Sequence, residues 1–397
     1  MSTDSTTILV GYKQTEVGVI PEDWEVKQLN DLCSEIKRGA SPRPITNPKW
    51  FDNNSQIGWV RISDATSAKR YLLETKQKLS KEGVQRSRYI PKGNLIMSIC
   101  ATVGRPIQTQ IDVCIHDGFV IFESIFIDQN FLYYVLCDLE PRWSDKGQTG
   151  SQMNLNTELI KSTEIPLPSD LSEQKTIAEV LSDMDALIHK LQILVNKKHC
   201  VKQGTMQELL TGKTRLDGYN TEWAESPLKE ICNIIRGSQI SRNKVIYGQI
   251  PVIAGGKEPS CYHNQFNRSG ITITISGSGA NAGYVAIHAN PIFASDCSTI
   301  SESTSYDIWF VYYLMKLMQN EIYNLQTGGA QPHVYPIHIE PLIVNLPIDV
   351  EEQESIGKIL FDMDAEITAL EERLEKAKAI KQGMMQQLLT GKIRLID

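Results

Sequence analysis

One stretch of this chain occurs twice, and the two copies constrain the fold more than any other feature. Residues 167–216 align without a gap to residues 346–395, and 26 of the 50 aligned residues are identical. The offset is constant, so that residue 167 corresponds to residue 346 and residue 216 to residue 395. Agreement over that length indicates an internal duplication, in which a repeated sequence forms a repeated structural unit.

Each copy has the sequence pattern of one long helix. Apolar residues recur at alternating steps of four and three, which is typical of a coiled-coil seam. Asp170 and Asp349 are placed to cap the two helices, and Glu173 and Glu352 complete a capping-box pattern. A helix over 172–210 has 39 residues and is about 58 Å long at about 1.5 Å per residue. The residues predicted to form the core of the helix pair are Ile177, Leu181, Met184, Ile188, Leu191, Val195, Ile356, Leu360, Met363, Ile367, Leu370 and Leu374.

An ordinary dimerisation coil has the same seam. Because the seam occurs twice in one chain, however, each copy can take the other as its partner. Gly204 and Gly383 lie inside the predicted helices, where glycine costs about 1 kcal/mol relative to alanine. These two glycines therefore predict either a close backbone approach or a kink.

The segments between the helices are also related, although more distantly. Trp24 and Cys33 have counterparts in Trp223 and Cys232, and FLYYVL from Phe131 corresponds to WFVYYLM near Trp309. Short β-rich runs broken by Gly, Pro and Asn predict an α/β (α+β) fold for both segments. The predicted organisation is a tandem with pseudo-twofold symmetry, divided into a first variable unit (1–166), a helical region (167–216), a second variable unit (217–345) and a second helical region (346–397).

Composition places the chain among globular proteins of the cytoplasm. No run of about 18 apolar residues could cross a membrane, and the first ten residues lack the pattern of a secretory signal. The eight cysteines are scattered singly without a CxxC pair. Such thiols are typical of a reducing compartment and argue against a disulfide framework and against a zinc site.

Net charge alone does not indicate a nucleic-acid partner, because it is −7. The distribution is less uniform, since residues 61–92 hold nine Lys or Arg and three Asp or Glu. A basic cluster is more often a solvated face than a binding site, so this cluster is weak support for DNA binding when taken alone.

Catalytic motifs are not apparent. The run from Gly277 to Gly283 follows a strand-like ITITIS, but the strand-like YVAI after it predicts a β-turn-β loop rather than a phosphate-binding loop. Asp183 and Asp185, like Asp362 and Asp364, are predicted to pair with basic residues of the partner helix or of a docked subunit. We therefore expect no metal site, no cofactor and no enzymatic activity of the chain by itself.

Several motifs together resemble those of the specificity subunits of type I restriction–modification systems. They are EVGVIPEDW near the start, WVRISDAT from Trp59, the NLIMSICATVGRP block, the TGSQ and TGGAQP loops, and the paired EQxxI…LxDMDAxI…KQGxMQxLLTGKxRL helices. The resemblance covers nearly all of the chain from about residue 11. One departure is Cys100-Ala101, where a more polar or basic residue would be expected; it leaves open whether that loop contacts bases or phosphates.

The resemblance implies a function and a set of partners. Each variable unit would be a target recognition domain that reads one half of a bipartite, asymmetric sequence in double-stranded DNA. The two helices would pack antiparallel, set the spacing between the half-sites and dock two methyltransferase subunits, to which motor-nuclease subunits are added.

Polar and basic residues in the loops of the two variable units are the candidates for DNA contact. In the first unit they are Arg61, Ser63, Lys69, Arg70, Ser98, Arg105, Ser151, Gln152 and Asn154. In the second they are Arg242, Lys257, Tyr262, Ser276, Ser278, Asn281, Gln331 and His333.

Two other functions are alternatives to this interpretation. A DNA-cleaving or methylating enzyme with fused recognition domains requires catalytic motifs that the sequence lacks. A non-catalytic coiled-coil scaffold without DNA specificity predicts that the chain, together with its methyltransferase, does not retain DNA selectively.

Overall fold

The structure, a computed structural model, describes residues 10–146 and 155–395, without the side chains of residues 144–146 and of Arg242. The chain divides into two compact units, one formed by residues 1–190 and 375–397 and the other by residues 191–374. Each unit contains one variable segment, the beginning of the helix that follows it, and the end of the other helix.

The first unit is built around a five-stranded sheet in the order β4-β12-β9-β10-β6 and a four-stranded sheet in the order β7-β5-β11-β8. The pairs β1-β2 and β13-β3 complete its strands. The strand bounds are β1 Tyr12–Thr15, β2 Gly18–Pro21, β3 Trp24–Gln28, β4 Cys33–Arg38, β5 Gly58–Val60, β6 Tyr71–Leu72, β7 Gln77–Lys78, β8 Arg88–Ile90, β9 Leu95–Ser98, β10 Pro106–Thr109, β11 Val113–Ile115, β12 Phe119–Ile125 and β13 Glu164–Pro168. The helices are α1 Ile62–Ser67, α2 Lys81–Gln85, α3 Gln129–Lys146, α4 Thr157–Lys161 and α5 Leu171–Leu209, the last of which continues into the second unit.

The second unit repeats this plan with fewer strands among the described residues. A four-stranded sheet has the order β15-β21-β18-β19, a three-stranded sheet the order β17-β16-β20, and β14 pairs with β22. The strands are β14 Trp223–Pro227, β15 Ile235–Arg236, β16 Ile250–Ile253, β17 Cys261–His263, β18 Thr272–Ser276, β19 Val285–His288, β20 Phe293–Ala294, β21 Cys297–Ser301 and β22 Ile343–Pro347. The helices are α6 Leu228–Ile231, α7 Ile308–Leu317, α8 Gln319–Asn324, α9 Pro336–Ile339 and α10 Val350–Leu388. Both units mix helices and strands, so the predicted α/β (α+β) class is confirmed.

The long helices have the predicted extent and ends. Both α5 and α10 contain 39 residues. Asp170 caps α5 by accepting a hydrogen bond from the amide of Ser172 at 2.8 Å, and Asp349 does the same for α10. Gly212 and Gly391 follow the helix ends with φ of 69° and 70°, a left-handed conformation that glycine adopts without strain. Both helices continue through Gly204 and Gly383, where an added Cβ would meet nothing within 4 Å. Of the two predicted alternatives, a close backbone approach or a kink, the close approach is absent from the described part of the chain.

Within each unit the two long helices run antiparallel. In the first unit, Lys381 on α10 pairs with Asp185 on α5, whereas the later Arg394 pairs with the earlier Glu173. In the second unit, Lys198 of α5 reaches Glu366 of α10 at 2.6 Å, and Lys202 reaches the earlier Asp364. The reversed order of the partners establishes the direction.

The seam residues differ in what they contact. Ile177 and Leu181 are fully buried in the core of the first unit, together with Phe131 of α3. Ile356 and Leu360 occupy the same place in the second unit. Farther along the helices, Leu191, Val195, Ile367 and Leu374 are buried, while Met184, Ile188, Met363 and Leu370 are partly exposed. The first three turns of each helix therefore belong to the core of the variable segment as well as to the helix pair.

A buried ion pair joins the start of α5 to the segment after α10. Glu173, predicted to complete a capping box, is 1% exposed and instead accepts two hydrogen bonds from Arg394, one of them at 2.8 Å. The indole of Trp24 donates to the same carboxylate at 3.1 Å. Asp23 adds a second carboxylate to the guanidinium, and this hydrogen bond lowers the pKa of Asp23.

The second unit contains the same arrangement. Glu352 was also predicted to complete a capping box, but it is fully buried and holds Arg215 at 2.7 and 2.8 Å. Trp223 donates to it at 3.4 Å. Because Arg215 follows α5 and Glu352 begins α10, each unit takes its glutamate from one repeat and its arginine from the other. The separation along the chain conceals this pairing from local sequence analysis.

Removal of Arg394 should leave the buried Glu173 carboxylate without its cation. We expect Arg394→Met to lower the free energy of unfolding of the first unit by about 3–5 kcal/mol, as is found when one partner of a buried ion pair is lost. Urea denaturation followed by circular dichroism measures this. Lys392→Met, at an exposed position two residues earlier, is the matched control. Adding Glu173→Gln should recover part of the loss, because the neutral amide no longer buries a charge. An Arg394→Met protein as stable as the control contradicts the assignment.

Candidate nucleic-acid interface

In the first unit, the segment around α1 carries three of the predicted contact residues on its surface. Arg61, Ser63 and Lys69 are exposed. Asp64 accepts a hydrogen bond from the amide of Arg61 at 2.8 Å, which fixes the start of α1. The guanidinium of Arg61 lies 3.4 Å from the side-chain oxygen of Gln77, and the amine of Lys69 lies 3.4 Å from Nδ1 of His189 on α5. These cations are held on short, defined structure and remain accessible.

A cleft of about 1110 Å³ separates this segment from the helices. It is lined by residues 67–76 on one side and by the α5 face from Ser182 to His189 on the other. Arg105 and Lys381 add positive charge, although Lys381 is already paired with Asp185 at 2.6 Å.

Two predicted contact residues of the first unit are buried and cannot reach DNA in this structure. Arg70 is 8% exposed, and its guanidinium donates to Gln108, Tyr134, Ser182 and Asn130. Ser98 is fully buried and donates to the carbonyl of Thr102. Both side chains point inward and hold local structure instead, Ser98 from the last residue of β9 and Arg70 from the residue before β6. A basic or hydroxyl residue in a loop-like sequence does not reveal that direction.

Of the other candidates in this unit, Arg105 is half-buried and the rest lie outside the described residues. Arg105 donates to the carbonyl of Ala68 at 3.1 Å, so it ties its own loop to the end of α1. Ser151, Gln152 and Asn154 lie outside the described residues. Ala101, in the loop that departs from the family pattern, is exposed and has φ of 59°, a conformation unusual for a residue other than glycine.

In the second unit the glycine-rich loop and the TGGAQP loop meet. The Gly279 amide donates to the carbonyl of Pro332 at 3.0 Å, and the Val334 amide donates to that of Gly277 at 3.0 Å. A bridge between Ser278 and His333 completes the contact. Since β18 and β19 are antiparallel neighbours on either side of the loop, the predicted β-turn-β structure is confirmed. Two loops that are distant in sequence thus form one surface, which includes Ser278, Asn281, Gln331 and His333.

His333 is the most distinctive side chain on that surface. Its Nδ1 is buried without a hydrogen-bond partner among the described residues. Its ring stacks on Tyr335, with the centroids 5.5 Å apart and the planes 13° from parallel. The guanidinium of the exposed Arg236 lies 4.7 Å from the centre of the Tyr335 ring. Arg236 and Tyr335 are not among the contact residues predicted from the sequence, because they lie far apart along the chain and only the fold brings them together.

Positive charge gathers beside the same loops. The backbone of Gly255 lies against Ser278, which places the exposed Lys257 near the glycine-rich loop. Lys257 and Lys316 both lie over the ring of Tyr284, at 5.3 and 5.0 Å. Burial lowers the pKa of Lys316, and the charges of Lys202 and Lys257 lower it further. Three lysines therefore share one region, of which the sequence indicated only Lys257.

The remaining candidates of the second unit differ in exposure. Ser276 is 3% exposed, so its side chain is closed to solvent. Ser278 donates a hydrogen bond to Asp296 and stays partly exposed. Tyr262 lies on β17 and is half exposed. The structure does not describe the side chain of Arg242.

The acidic pairs of the helices serve the structure. Asp185 pairs with Lys381 and Asp364 with Lys202, so the predicted pairing with basic residues of the partner helix is confirmed at these two positions. Among residues 10–146 and 155–395, no group of three or more His, Cys, Asp or Glu side chains is arranged to hold a metal ion. No helix in that part of the chain is long and apolar enough to cross a membrane.

Comparison with known proteins identifies the family. The sequence profile of the type I restriction modification DNA specificity domain matches residues 21–197 and again residues 220–381. The chain belongs to this family of DNA specificity domains. The match occurs twice, in agreement with the duplication, and the resemblance seen in the sequence motifs is confirmed.

Relatives match this chain over nearly all of its length. A putative type I restriction enzyme MjaX specificity subunit of Methanocaldococcus jannaschii is 25% identical, with 97% of each chain covered. The MjaVIII specificity subunit of the same organism is 24% identical over 95% of this chain and 94% of the relative. The crystal structure of the S subunit from M. genitalium has a TM-score of 0.65 at 16% identity and covers 92% of this chain and 96% of that one. A chain from a structural study of complex assembly in a type I restriction–modification system has a TM-score of 0.56 at 17% identity, covering 94% and 99%.

The exposed cations around α1 generate a prediction for DNA binding. We expect the double substitution Arg61→Ala and Lys69→Ala to weaken binding to all DNA sequences alike, because phosphate contacts carry no sequence information. The slope of log affinity against log salt concentration should become shallower by about two, roughly one for each lost phosphate contact. Titration of labelled duplexes with the protein at several salt concentrations measures both. Lys376→Ala, at an exposed position on α10, is the control. An unchanged salt slope would show that these cations do not contact phosphates.

Proposed function

We propose that the two variable segments are target recognition domains that read different halves of a bipartite, asymmetric DNA sequence. The supporting observation is the contrast between repeated and divergent contacts. The Glu–Arg–Trp cluster occurs in both units, with the glutamates and the arginines at aligned positions of the two helical copies. The loops that face solvent differ in sequence and in conformation. One scaffold that carries two different surfaces suits two different ligands, which here are two half-sites.

The residues proposed to contact DNA are those that the structure leaves accessible. In the first domain they are Arg61, Ser63, Lys69 and Arg105, together with Ser151, Gln152 and Asn154 from the sequence. In the second they are Arg236, Lys257, Tyr262, Ser278, Asn281, Gln331 and His333, together with Arg242 from the sequence. Arg236, stacked on Tyr335, suits guanine, since an arginine guanidinium matches its major-groove edge.

We further propose that the subunit is not itself catalytic and acts within a larger complex. Methyltransferase subunits modify the DNA and motor-nuclease subunits cleave it, while this chain selects the sequence. The helices act as the spacer, because 39 residues give each a length of about 58 Å at about 1.5 Å per residue. Half-sites one helical turn apart on DNA are separated by about 34 Å, which a helix of that length can span.

Exchange of one domain tests whether each domain recognises its own half-site. A hybrid in which residues 24–166 come from a related specificity subunit should direct methylation to a target with one new half-site and one original half-site. Sequencing of methylated DNA from cells that carry the hybrid and the methyltransferase reports both halves. The unmodified subunit is the control and defines the original motif. A folded, active hybrid that changes both halves, or neither, contradicts modular recognition, and a control without any specific motif contradicts the proposed function.

We infer that the methyltransferase docks at the repeated glycines. Gly204 and Gly383 occupy equivalent positions in KQGxMQxLL, and a Cβ added to either meets nothing within the described chain. A glycine that costs helix stability without serving the chain itself suits close approach by a partner backbone. Because the motif occurs twice, we expect two copies of one methyltransferase to bind.

Substitution of these glycines separates stability from docking. Gly383→Ala should stabilise the isolated subunit by up to about 1 kcal/mol, since alanine is the better helix former. It should weaken the binding of one methyltransferase and leave the other site intact. Thermal denaturation and native mass spectrometry measure the two effects. Gln382→Ala, at the exposed neighbouring position, is the control. Unimpaired binding of two methyltransferases would exclude Gly383 from the docking surface.

A further inference from the structure

The contact between each recognition domain and the helix pair contains a second repeated cluster. In the first unit, the hydroxyl of Tyr134 on α3 donates to Asp185 on α5 at 2.8 Å, and Lys381 from α10 contacts the same carboxylate. In the second unit, Tyr313 on α7 donates to Asp364 on α10 at 2.7 Å, and Lys202 from α5 contacts that carboxylate. The two clusters are related by the same sequence offset as the helical copies, with the lysine taken from the other repeat. At this point the two domain–helix contacts are the same.

Directly beside this cluster the two units differ. In the first unit the adjoining residues are Asn130 on α3 and Ser182 on α5, and both accept hydrogen bonds from the guanidinium of Arg70, at 2.6 and 2.9 Å. At the positions that correspond under the same offset, the second unit has Trp309 on α7 and Phe361 on α10. Their rings meet edge to face with centroids 4.6 Å apart. A polar socket in one unit is replaced by an aromatic pair in the other.

Arg70 has little freedom to move out of its socket. Besides Asn130 and Ser182, it donates to Gln108 and to Tyr134, and it lies 4.7 Å from the ring of Tyr133. A buried guanidinium is costly unless its donors are matched by acceptors. Ser182, on the helix, is therefore part of what allows Arg70, in the domain, to be buried.

The buried Arg70 is adjacent in the chain to the surface that faces DNA in the proposed function. Arg70 follows Lys69 directly and lies shortly after α1, which carries Arg61 at its start and Ser63 within it. Its burial against α5 fixes the position of that segment on the helix. Arg70 thus acts on recognition through its neighbours and not by contacting bases itself.

We propose that the residue at position 182 of α5, or at the equivalent position 361 of α10, matches each recognition domain to its own long helix. Ser182 accepts the domain that carries Arg70 and Asn130, and Phe361 accepts the domain that carries Trp309. The proposal rests on the proposed function, because it concerns how the recognition domains are positioned. Arg70, Asn130 and Trp309 move with their domains in any exchange, whereas Ser182 and Phe361 stay with the helices.

A mismatch has a different physical consequence in each direction. If the first domain is placed on α10, the phenyl ring of Phe361 occupies the space next to the guanidinium, and one acceptor of Arg70 is lost. If the second domain is placed on α5, Trp309 faces a serine and loses its aromatic partner. Both mismatches displace the domain on its helix without altering any residue proposed to contact DNA.

The test uses a chain with two copies of the first domain, in which residues 24–166 replace residues 223–345. One version retains Phe361 and the other carries Phe361→Ser. With the methyltransferase present, both are assayed on DNA that contains the first half-site twice as an inverted repeat, over a range of spacers. We expect the version with Phe361→Ser to methylate this DNA at least about tenfold faster, as the loss of a buried hydrogen-bonded contact would give. Equal rates in the two versions overturn the proposal.

A second measurement in the natural arrangement covers the case in which neither hybrid folds. Ser182→Phe should reduce discrimination against DNA with a mutated first half-site and leave discrimination at the second half-site unchanged. Arg70→Met added to Ser182→Phe should restore part of the loss, because the displaced guanidinium is gone. Leu187→Phe, at an exposed apolar position on the same helix, is the control. Equal effects on both half-sites, or no effect, overturn the proposal. An unmodified subunit without a bipartite methylated motif would instead contradict the proposed function.

Discussion

The fold depends on a carboxylate that is buried at the start of each long helix and neutralised from the other repeat. Glu173 and Glu352 are almost inaccessible to solvent, so each requires its arginine. The arginine arrives from the segment that follows the opposite helix, and the tryptophan that donates to the same carboxylate comes from the beginning of the variable segment. Three distant parts of the chain thereby meet at one charge. This requirement explains why the helix motif and its basic tail are duplicated together.

The same exchange of partners recurs along the helices. The lysine of each Tyr–Asp–Lys cluster comes from the repeat that does not supply its tyrosine and aspartate. Each recognition domain is consequently held by both helices, and a change in either helix is transmitted to it. The two units differ at positions that these clusters do not involve, such as the exposed loops and the pair formed by residues 182 and 361.

Local patterns in the sequence predicted the helices well, whereas the candidate interface depends on tertiary packing. The seam, the capping aspartates and the terminal glycines each act over a few residues, so α5 and α10 were predicted almost to the residue. Glu173 was misassigned, because its proximity to Asp170 suggested a capping box while its actual partner, Arg394, lies 221 residues away. Arg70 and Ser98 were predicted to lie on the surface but are buried, since tertiary packing sets the direction of a side chain. Residues such as Arg236 gain significance only when separate loops come together, here around His333 and Tyr335.

The division of the chain also bears on the order in which it folds during synthesis. Domains of a growing chain usually fold from the N-terminal end. Here the core of the first unit includes Met385, Leu388 and Leu389, and its buried glutamate is satisfied by Arg394. The second unit draws only on residues 191–374. The unit whose recognition domain is translated first is therefore completed last, and until then it exposes the apolar surface at the start of α5 that the end of α10 later covers.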